Sequence, residues 1–377
     1  MSNESEECST RVRRLSDRDG SFRVVTRLRL IDLFAGCGGM TRGFVDSGHF
    51  DPVFAVEWDQ DAAETYAANF GRHVFVGPVQ DVDRFPDADI VIGGPPCQGF
   101  SALNMRGVGL ERRGLWREYL RALEEASPAA FVMENVPELL RSAEYDAFSK
   151  AAKSLGFAID GRVLNAADFG VPQTRRRAFV IGVRNGLPAW PQATHAPAGT
   201  GDELYPWRTF RNAVAGLPLQ PDGHNWHRPR NPRPLSIERY RAIPREGEGR
   251  FDLAERRPDI TPGCWLRKTS GSTDVFGRLW WDRPMYTVRT EFFKPEKGRY
   301  LHPSEHRPIT VREAARCMSF PDDFVFPETQ SMTAVAKQIG NAVCPDLARQ
   351  IATAIFAELG LAPSAATPAS ELDVVAV

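Results

Sequence analysis

The stretch on which chemistry could be built is a cysteine presented at the end of an apolar run. Ala88-Asp89-Ile90-Val91-Ile92 leads into Gly93-Gly94-Pro95-Pro96-Cys97-Gln98-Gly99-Phe100-Ser101. The apolar residues read as a short buried strand that glycine and proline terminate. Cys97 then stands at the carboxyl end of a strand, the edge at which open α/β sheets place their ligands. Prolines fix φ and remove backbone donors, so the thiol is held by a stiff turn. This suits a nucleophile. An unpaired cysteine is as readily a small buried side chain, and Cys97 alone leaves both readings open.

Two further groups have the same placement. The run Ala129-Ala130-Phe131-Val132-Met133 ends in Glu134-Asn135-Val136-Pro137, putting an acid at a strand end. Glu134 is either a working carboxyl or a helix-capping one. Gln173-Thr174-Arg175-Arg176-Arg177 enters the strand Ala178–Val183, and strand alternation can aim Arg175 and Arg177 at one site or leave a solvated edge.

The elements that would carry these groups alternate between strand and helix. Leu28–Phe34 reads as a strand running into Ala35-Gly36-Cys37-Gly38-Gly39 and a helix from Met40 to Ser47, the opening of a nucleotide-binding βαβ unit. The spacing is not Gly-x-Gly-x-x-Gly, so the dinucleotide fingerprint is not met. A second strand, Pro52–Val56, ends in Glu57-Trp58-Asp59 about 20 residues after the glycines, where a carboxylate can accept from ribose hydroxyls. Trp58 has the surface to lie against an adenine ring or to pack internally. Asp59–Phe70 reads as a helix, His73–Val76 as a strand, and Asp81 as either an adenine-amino partner or a turn cap. Ser101–Gly114, which contains Arg106, is a glycine- and arginine-bearing loop, either a lid near phosphate or plain surface. Helices are expected at Leu115–Ala126 and Glu138–Leu155, and a strand at Phe157–Leu164. From about 185 to 275 proline, glycine, tryptophan and arginine are frequent and periodicity is poor, which marks a domain boundary. Order returns with helices at Val311–Met318 and Asp346–Leu359.

The 377 residues are 42% hydrophobic and 25% charged, an ordinary globular composition. Forty-seven basic and 48 acidic residues give a formal charge of -1, so a nucleic-acid partner is not announced by bulk charge, although arginines crowd between Arg208 and Arg257. Six widely spaced cysteines without a Cys-x-x-Cys pair signal neither disulfides nor a metal site. No long apolar run suggests a signal peptide or membrane span, so a cytoplasmic protein is expected.

Seven segments in this order resemble the DNA (cytosine-5) methyltransferases from about residue 28 to about residue 358. They are Asp32–Gly39, Glu57, Pro95–Gln98, Glu134–Val136, Gln173-x-Arg175-x-Arg177, Arg307–Phe320 and Gln338–Val343. The resemblance implies a Rossmann-like class I methyltransferase sheet of the α/β class with a smaller, irregular target-recognition domain. It divides the chain into a flexible leader (1–26), a catalytic and cofactor-binding domain (27–184), the recognition domain (185–300), a C-terminal segment returning to the catalytic domain (301–360) and a flexible tail (361–377).

The same resemblance implies S-adenosyl-L-methionine as cofactor and double-stranded DNA as partner. Cys97 would add to C6 of a flipped-out cytosine, Glu134 would stabilise the ring, and Arg175 and Arg177 would steady the base. Phe34, Gly36, Gly38 and Gly39 would cradle the methionine end of the cofactor, Glu57 would bind its ribose and Trp58 its adenine. Asp81, preceded here by Gln80 where the family has glycine, would meet the adenine amino group, with Pro96 and Asn341 completing the pocket. Gln98, Ser101, Arg106 and Gln173 are expected on the DNA side. Arg208, Arg228, Arg230, Arg233 and Arg239 are expected to read bases or touch phosphates. A cognate restriction endonuclease, a nucleoid location and a monomeric state are compatible with it. The rival readings are a transfer-RNA cytosine-5 methyltransferase and a non-catalytic DNA-binding regulator.

Overall fold

The computed structural model describes residues 13–16, 22–25, 27–96, 114–200, 203–267 and 274–361. Cys97, Gln98, Ser101 and Arg106 lie outside the described residues.

Seven strands form the central sheet: β1 (Leu28–Leu33), β2 (Phe50–Glu57), β3 (Val74–Val76), β4 (Ile90–Gly93), β5 (Ala130–Asn135), β6 (Ala158–Asn165) and β7 (Arg176–Val183). Their spatial order is β3-β2-β1-β4-β5-β7-β6. Strands β1 to β5 pair in parallel, and β7 runs antiparallel to both β5 and β6. The chain winds outward from β1 to β3 and then crosses to β4, so the order reverses between β1 and β4. That reversal opens a crevice at the carboxyl ends of the strands. This is the α/β architecture expected from the sequence.

Both faces of the sheet are covered. Leu28, Leu30, Ile90, Ile92, Val132 and Ile181 join one apolar cluster, and Ile31, Leu33, Val91, Phe131, Met133 and Val180 join the other. The alternation is the period-2 consequence of strand geometry. Helices α1 (Gly39–Asp46), α2 (Gln60–Phe70), α3 (Leu115–Ala126) and α4 (Ala143–Ser154) provide the cover. The single helix expected over Glu138–Leu155 is instead a 3₁₀ turn, Pro137–Arg141, followed by α4. Ser142 separates them: it takes an extended conformation, and its hydroxyl accepts from Tyr145 N at 3.1 Å as an N-cap. The expected leader also contains regular structure, since 13–16 pairs antiparallel with 22–25. Phe22-Arg23-Val24-Val25 is rich in residues that favour strands.

Beyond β7 the elements are short: α5 (Phe210–Val214), α6 (Pro234–Ala242), α7 (Arg250–Arg256), α8 (Gly263–Leu266) and α9 (Val311–Cys317). Tyr240, Ile243, Leu253, Phe276 and Leu301 form a small cluster of their own, whereas Phe210, Trp226, Val288 and Phe292 join the large cluster on the sheet. Irregular backbone leaves carbonyls without ladder partners, and buried ones need donors. Buried arginines supply them here. Arg278 donates to Ile243 O (2.8 Å), Tyr240 O (2.9 Å), Glu305 O (2.6 Å) and His302 O. Arg312 donates to Asn225 O at 2.9 Å, and Arg307 grips Glu313 with both terminal nitrogens at 2.9 and 2.8 Å. Much of the arginine in this half of the chain therefore holds the fold.

The chain then returns to the sheet through α10 (Met332–Asn341) and α11 (Pro345–Phe356). Helix α11 packs directly on α1, where Gly43 lies against Pro345 O and a Cβ would come within 2.5 Å of Ala348 Cβ. Gly43→Ala is expected to force the two helices apart and lower stability by about 1–3 kcal/mol, read as a lower urea midpoint at an unchanged slope.

Candidate functional site

A cavity of about 470 Å³ opens at the carboxyl ends of β1, β2, β4 and β5, and the far wall is the returning segment 337–343. Glu57, the last residue of β2, is 6% exposed and faces the glycine turn after β1. Its Oε2 accepts from Gly36 N at 2.7 Å and its Oε1 from Asp59 N at 2.8 Å, so the carboxyl fixes both the turn and the start of α2. Burial pushes its pKa up against those hydrogen bonds. Gly36 has φ +56°, and a Cβ there would meet nothing within 4 Å, leaving the turn open towards the cavity. Phe34 also takes a left-handed conformation (φ 59°), unusual for an aromatic residue and consistent with strain at a working turn. Gly39 permits close approach of the C-terminal segment, because a Cβ would run into Val343 O. Gly38 does not line the cavity. It packs the turn onto Tyr66 and Phe70 of α2.

Trp58 is 61% exposed at the rim. Beside it, Asp59 meets Lys337 of α10 across the opening at 2.6 Å. Asn341 lines the same wall. Asp81 differs from expectation: it is exposed at the end of the turn Val79–Asp81, where Pro78, Val79 and Gln80 line the cavity and Asp81 does not.

The opposite end of the cavity is built by β4, β5 and β7. Asn135 donates through Nδ2 to Pro95 O at 2.8 Å and so ties the Gly94-Pro95-Pro96 turn to β5. Gly94 and Pro96 line the cavity, and a Cβ on Gly94 would lie 3.1 Å from Glu134 Oε2. In the antiparallel register Phe179 faces Glu134, which makes Arg177 a diagonal neighbour of Glu134 on the same face. Arg177 Nε accordingly lies 3.1 Å from Glu134 Oε1. The Glu134 side chain is 12% exposed. Burial raises its pKa and outweighs the opposing pull of Arg177 and Arg175, so it keeps its proton to higher pH than an ordinary glutamate.

Arg175 lines the same cavity and also ties its walls together. It is 2% exposed, donates through Nη1 to Val288 O at 3.0 Å, and through Nη2 to Gly340 O at 2.9 Å and Ala342 O at 3.2 Å. Its Nε has no partner among the described residues, and burial pushes its pKa down to about 10.

One expected DNA contact is corrected by its surroundings. Gln173 is fully buried, donating to Cys317 O (3.2 Å) and Met318 Sδ (2.9 Å) and accepting from Val288 N (2.8 Å), so it presents no surface to DNA. Arg228 pairs with Glu328 at 3.0 Å, Arg230 with Glu296 at 3.7 Å, and Arg239 donates to Ile260 O at 2.7 Å. Arg208 and Arg233 are exposed.

One cavity residue escaped the sequence reading. Asp32, 2% exposed next to the carboxyl end of β1, accepts from Thr41 Oγ1 at 2.5 Å, and burial pushes its pKa up to about 7. A lone acid inside an apolar strand was the available signal. Its folded pKa lies above its unfolded value near 3.9, so the stability it contributes is present at low pH and is lost as pH rises from about 4 to 7. Asp32→Asn should flatten that fall, changing the difference between the stabilities at pH 4 and pH 8 by on the order of 3 kcal/mol in chemical unfolding.

Comparison with known proteins agrees with this geometry. The family model for C-5 cytosine-specific DNA methylase matches residues 28–357. The chain is 34% identical over 351 residues to the type II methyltransferase M1.HphI of Haemophilus parahaemolyticus, covering 87% of each chain. It is also 34% identical over 378 residues to the type II methyltransferase M.XorII of Xanthomonas oryzae pv. oryzae, covering 90% of this chain and 87% of the relative. Among solved structures, an E. coli prophage-encoded protein described as a candidate DNA modification methyltransferase superposes with a TM-score of 0.65 at 28% identity, covering 88% of this chain and 99% of the other. With a family model spanning the sheet, the cavity and the returning C-terminal segment, the chain belongs to the C-5 cytosine-specific DNA methylases.

Proposed function

We propose that this enzyme methylates C5 of a cytosine rotated out of duplex DNA, with S-adenosyl-L-methionine as methyl donor and Cys97 as the nucleophile. The observation that carries the reading is the largely buried Glu134, 3.1 Å from Arg177 in the wall of a cavity that also contains Pro96, the residue before Cys97.

The cavity fits the cofactor. Glu57 retains lone pairs for ribose hydroxyls, Trp58 offers an aromatic face at the rim, and the turn at Gly36 leaves room for a ligand close to the backbone. Phe34, Gly39 and Asn341 would enclose the remainder, and the bound cofactor would supply an electrophilic methyl group.

The chain's own groups account for the other half of the reaction. Cytosine C5 is a weak nucleophile until a thiolate adds at C6, forming the Cys97 Sγ–C6 bond and moving an electron pair into the ring. Glu134, holding its proton, meets N3 and stabilises that charge, and Arg177 keeps its carboxyl oriented. After C5 is methylated, a base removes the C5 proton and the Sγ–C6 bond breaks, restoring Cys97. The target atoms are unreachable in a stacked duplex, so the cytosine must leave the helix at a cost of roughly a few kcal/mol. The region 185–300 would repay that cost by gripping the surrounding DNA. The type II relatives support a cognate restriction endonuclease as partner, and we assign the protein to the cytoplasm as a monomer acting at the nucleoid.

The test is base-resolution cytosine methylation of DNA from a methylation-free bacterial host. The parent chain should mark one short motif, and Cys97→Ala should leave none while still binding S-adenosyl-L-methionine. Methylation confined to RNA would redirect the reading, and motif methylation by Cys97→Ala would remove the mechanism. Glu134→Ala should cut turnover by roughly 10²–10⁴-fold. Because the working form of Glu134 is protonated and its pKa is raised, turnover in the parent should fall as pH rises through that pKa.

A further inference from the structure

The number of arginines between Arg208 and Arg299 does not identify which of them read DNA, since several are paired internally. Arg211 meets Asp282 at 2.7 Å, Arg256 meets Glu248 at 2.7 Å, and Arg289 meets Asp274 at 3.3 Å. Arg208, Arg233, Arg241, Arg245 and Arg267 are exposed without such a pair among the described residues, and Arg283 is set apart from them by the ring it rests on. It is exposed, has no carboxylate partner among the described residues, and lies over the Trp280 ring at 4.5 Å from the centroid.

That ring is a fixed platform. Arg299, 7% exposed and bonded to Gly247 O and Arg278 O at 2.8 Å, lies against the same ring at 4.5 Å. Gly247 presses on its edge, where a Cβ would come within 2.7 Å of Nε1, and Tyr286 meets it edge-on at 6.2 Å. Stacking on a held indole restricts the guanidinium to few orientations, so little freedom remains to be lost on binding.

The platform also stands on the working side of the molecule. Met285-Tyr286 pairs in parallel with Gln173-Thr174, Thr287 Oγ1 donates to Thr174 O at 3.0 Å, and Arg175 holds Val288 O. Strand β7 starts at Arg176 and runs antiparallel to β5, so residues before Arg176 lie beyond the carboxyl edge at which Glu134 stands. The segment from Trp280 to Val288 is thereby joined to the rim of the site, with Tyr286 47% exposed.

We propose that Arg283, stiffened on Trp280, reads a guanine edge in the major groove beside the target cytosine; this rests on the reading of the chain as a duplex-DNA methyltransferase. The guanidinium fork matches guanine O6 and N7, which an ammonium group cannot do with the same geometry. Arg283→Lys keeps the charge and removes the fork, and Arg283→Ala removes both.

The experiment compares the parent, Arg283→Lys and Arg283→Ala by base-resolution methylation of a randomised duplex library, with DNA affinity measured against salt. A parent that marks one motif establishes the DNA reading on its own. In that case both variants should lose discrimination at one guanine position by roughly tenfold or more, and Arg283→Lys should keep its salt-dependent affinity. Variants that retain the full motif overturn the assignment, whether their affinity is unchanged or uniformly weaker, since the latter marks a phosphate contact. A parent that leaves duplex DNA unmodified overturns the underlying reading together with it. Arg283→Lys keeps the cation on the indole and decides the question should Arg283→Ala misfold.

Discussion

The burial of Arg175 is the constraint on which the site depends. A guanidinium removed from water must be met by acceptors, and the nearest available ones are carbonyls of segments far away in the chain. Its terminal nitrogens reach Val288, Gly340 and Ala342, separated in sequence by 113, 165 and 167 residues. Satisfying one cation therefore brings the middle of the chain and its C-terminal segment to the end of β7. The approach is close enough that glycine is required at position 340, where a Cβ would lie 2.5 Å from Thr290 N. The cavity that results has one wall from the sheet and one from residues 337–343.

Electrostatics inside that cavity follow from the same burial. Asp32, Glu57 and Glu134 all line it, and burial raises the pKa of each. Their hydrogen bonds and ion pairs differ, and so do their tasks. Glu57 accepts from two backbone amides and holds the turn, Asp32 holds Thr41 of α1, and of the three only Glu134 has an arginine for its charged form. Two arginines flanking the first residue of β7 are divided in the same way: Arg175 joins the walls, and Arg177 pairs with the acid.

The sheet was legible in the sequence because its strands are short apolar runs ended by glycine, proline or a polar residue, a pattern set by burial on both faces. Glu57, Glu134 and the glycine turn were legible for the same reason, since each stands where such a run stops. Gln173 was misread as a DNA contact because its amide is saturated by Cys317, Met318 and Val288, partners that only the tertiary fold brings near. Arg228 and Arg230 meet distant acids and Arg239 caps a carbonyl, contacts that leave the same sequence signature as an arginine that reads DNA. Asp32 was visible as a polar residue in an apolar strand, but its hydroxyl partner on α1 was not.

The central claim is that a thiol of this chain bonds covalently to the target base, and trapping that bond tests it most directly. Duplex DNA carrying 5-fluorocytosine at the target position blocks the final elimination, because fluorine cannot leave as a proton does. Incubated with S-adenosyl-L-methionine, the enzyme should form a complex that survives denaturation, and peptide mass spectrometry should place the link at Cys97. An enzyme that methylates ordinary cytosine yet yields no trapped complex, or one linked through another residue, would contradict the account.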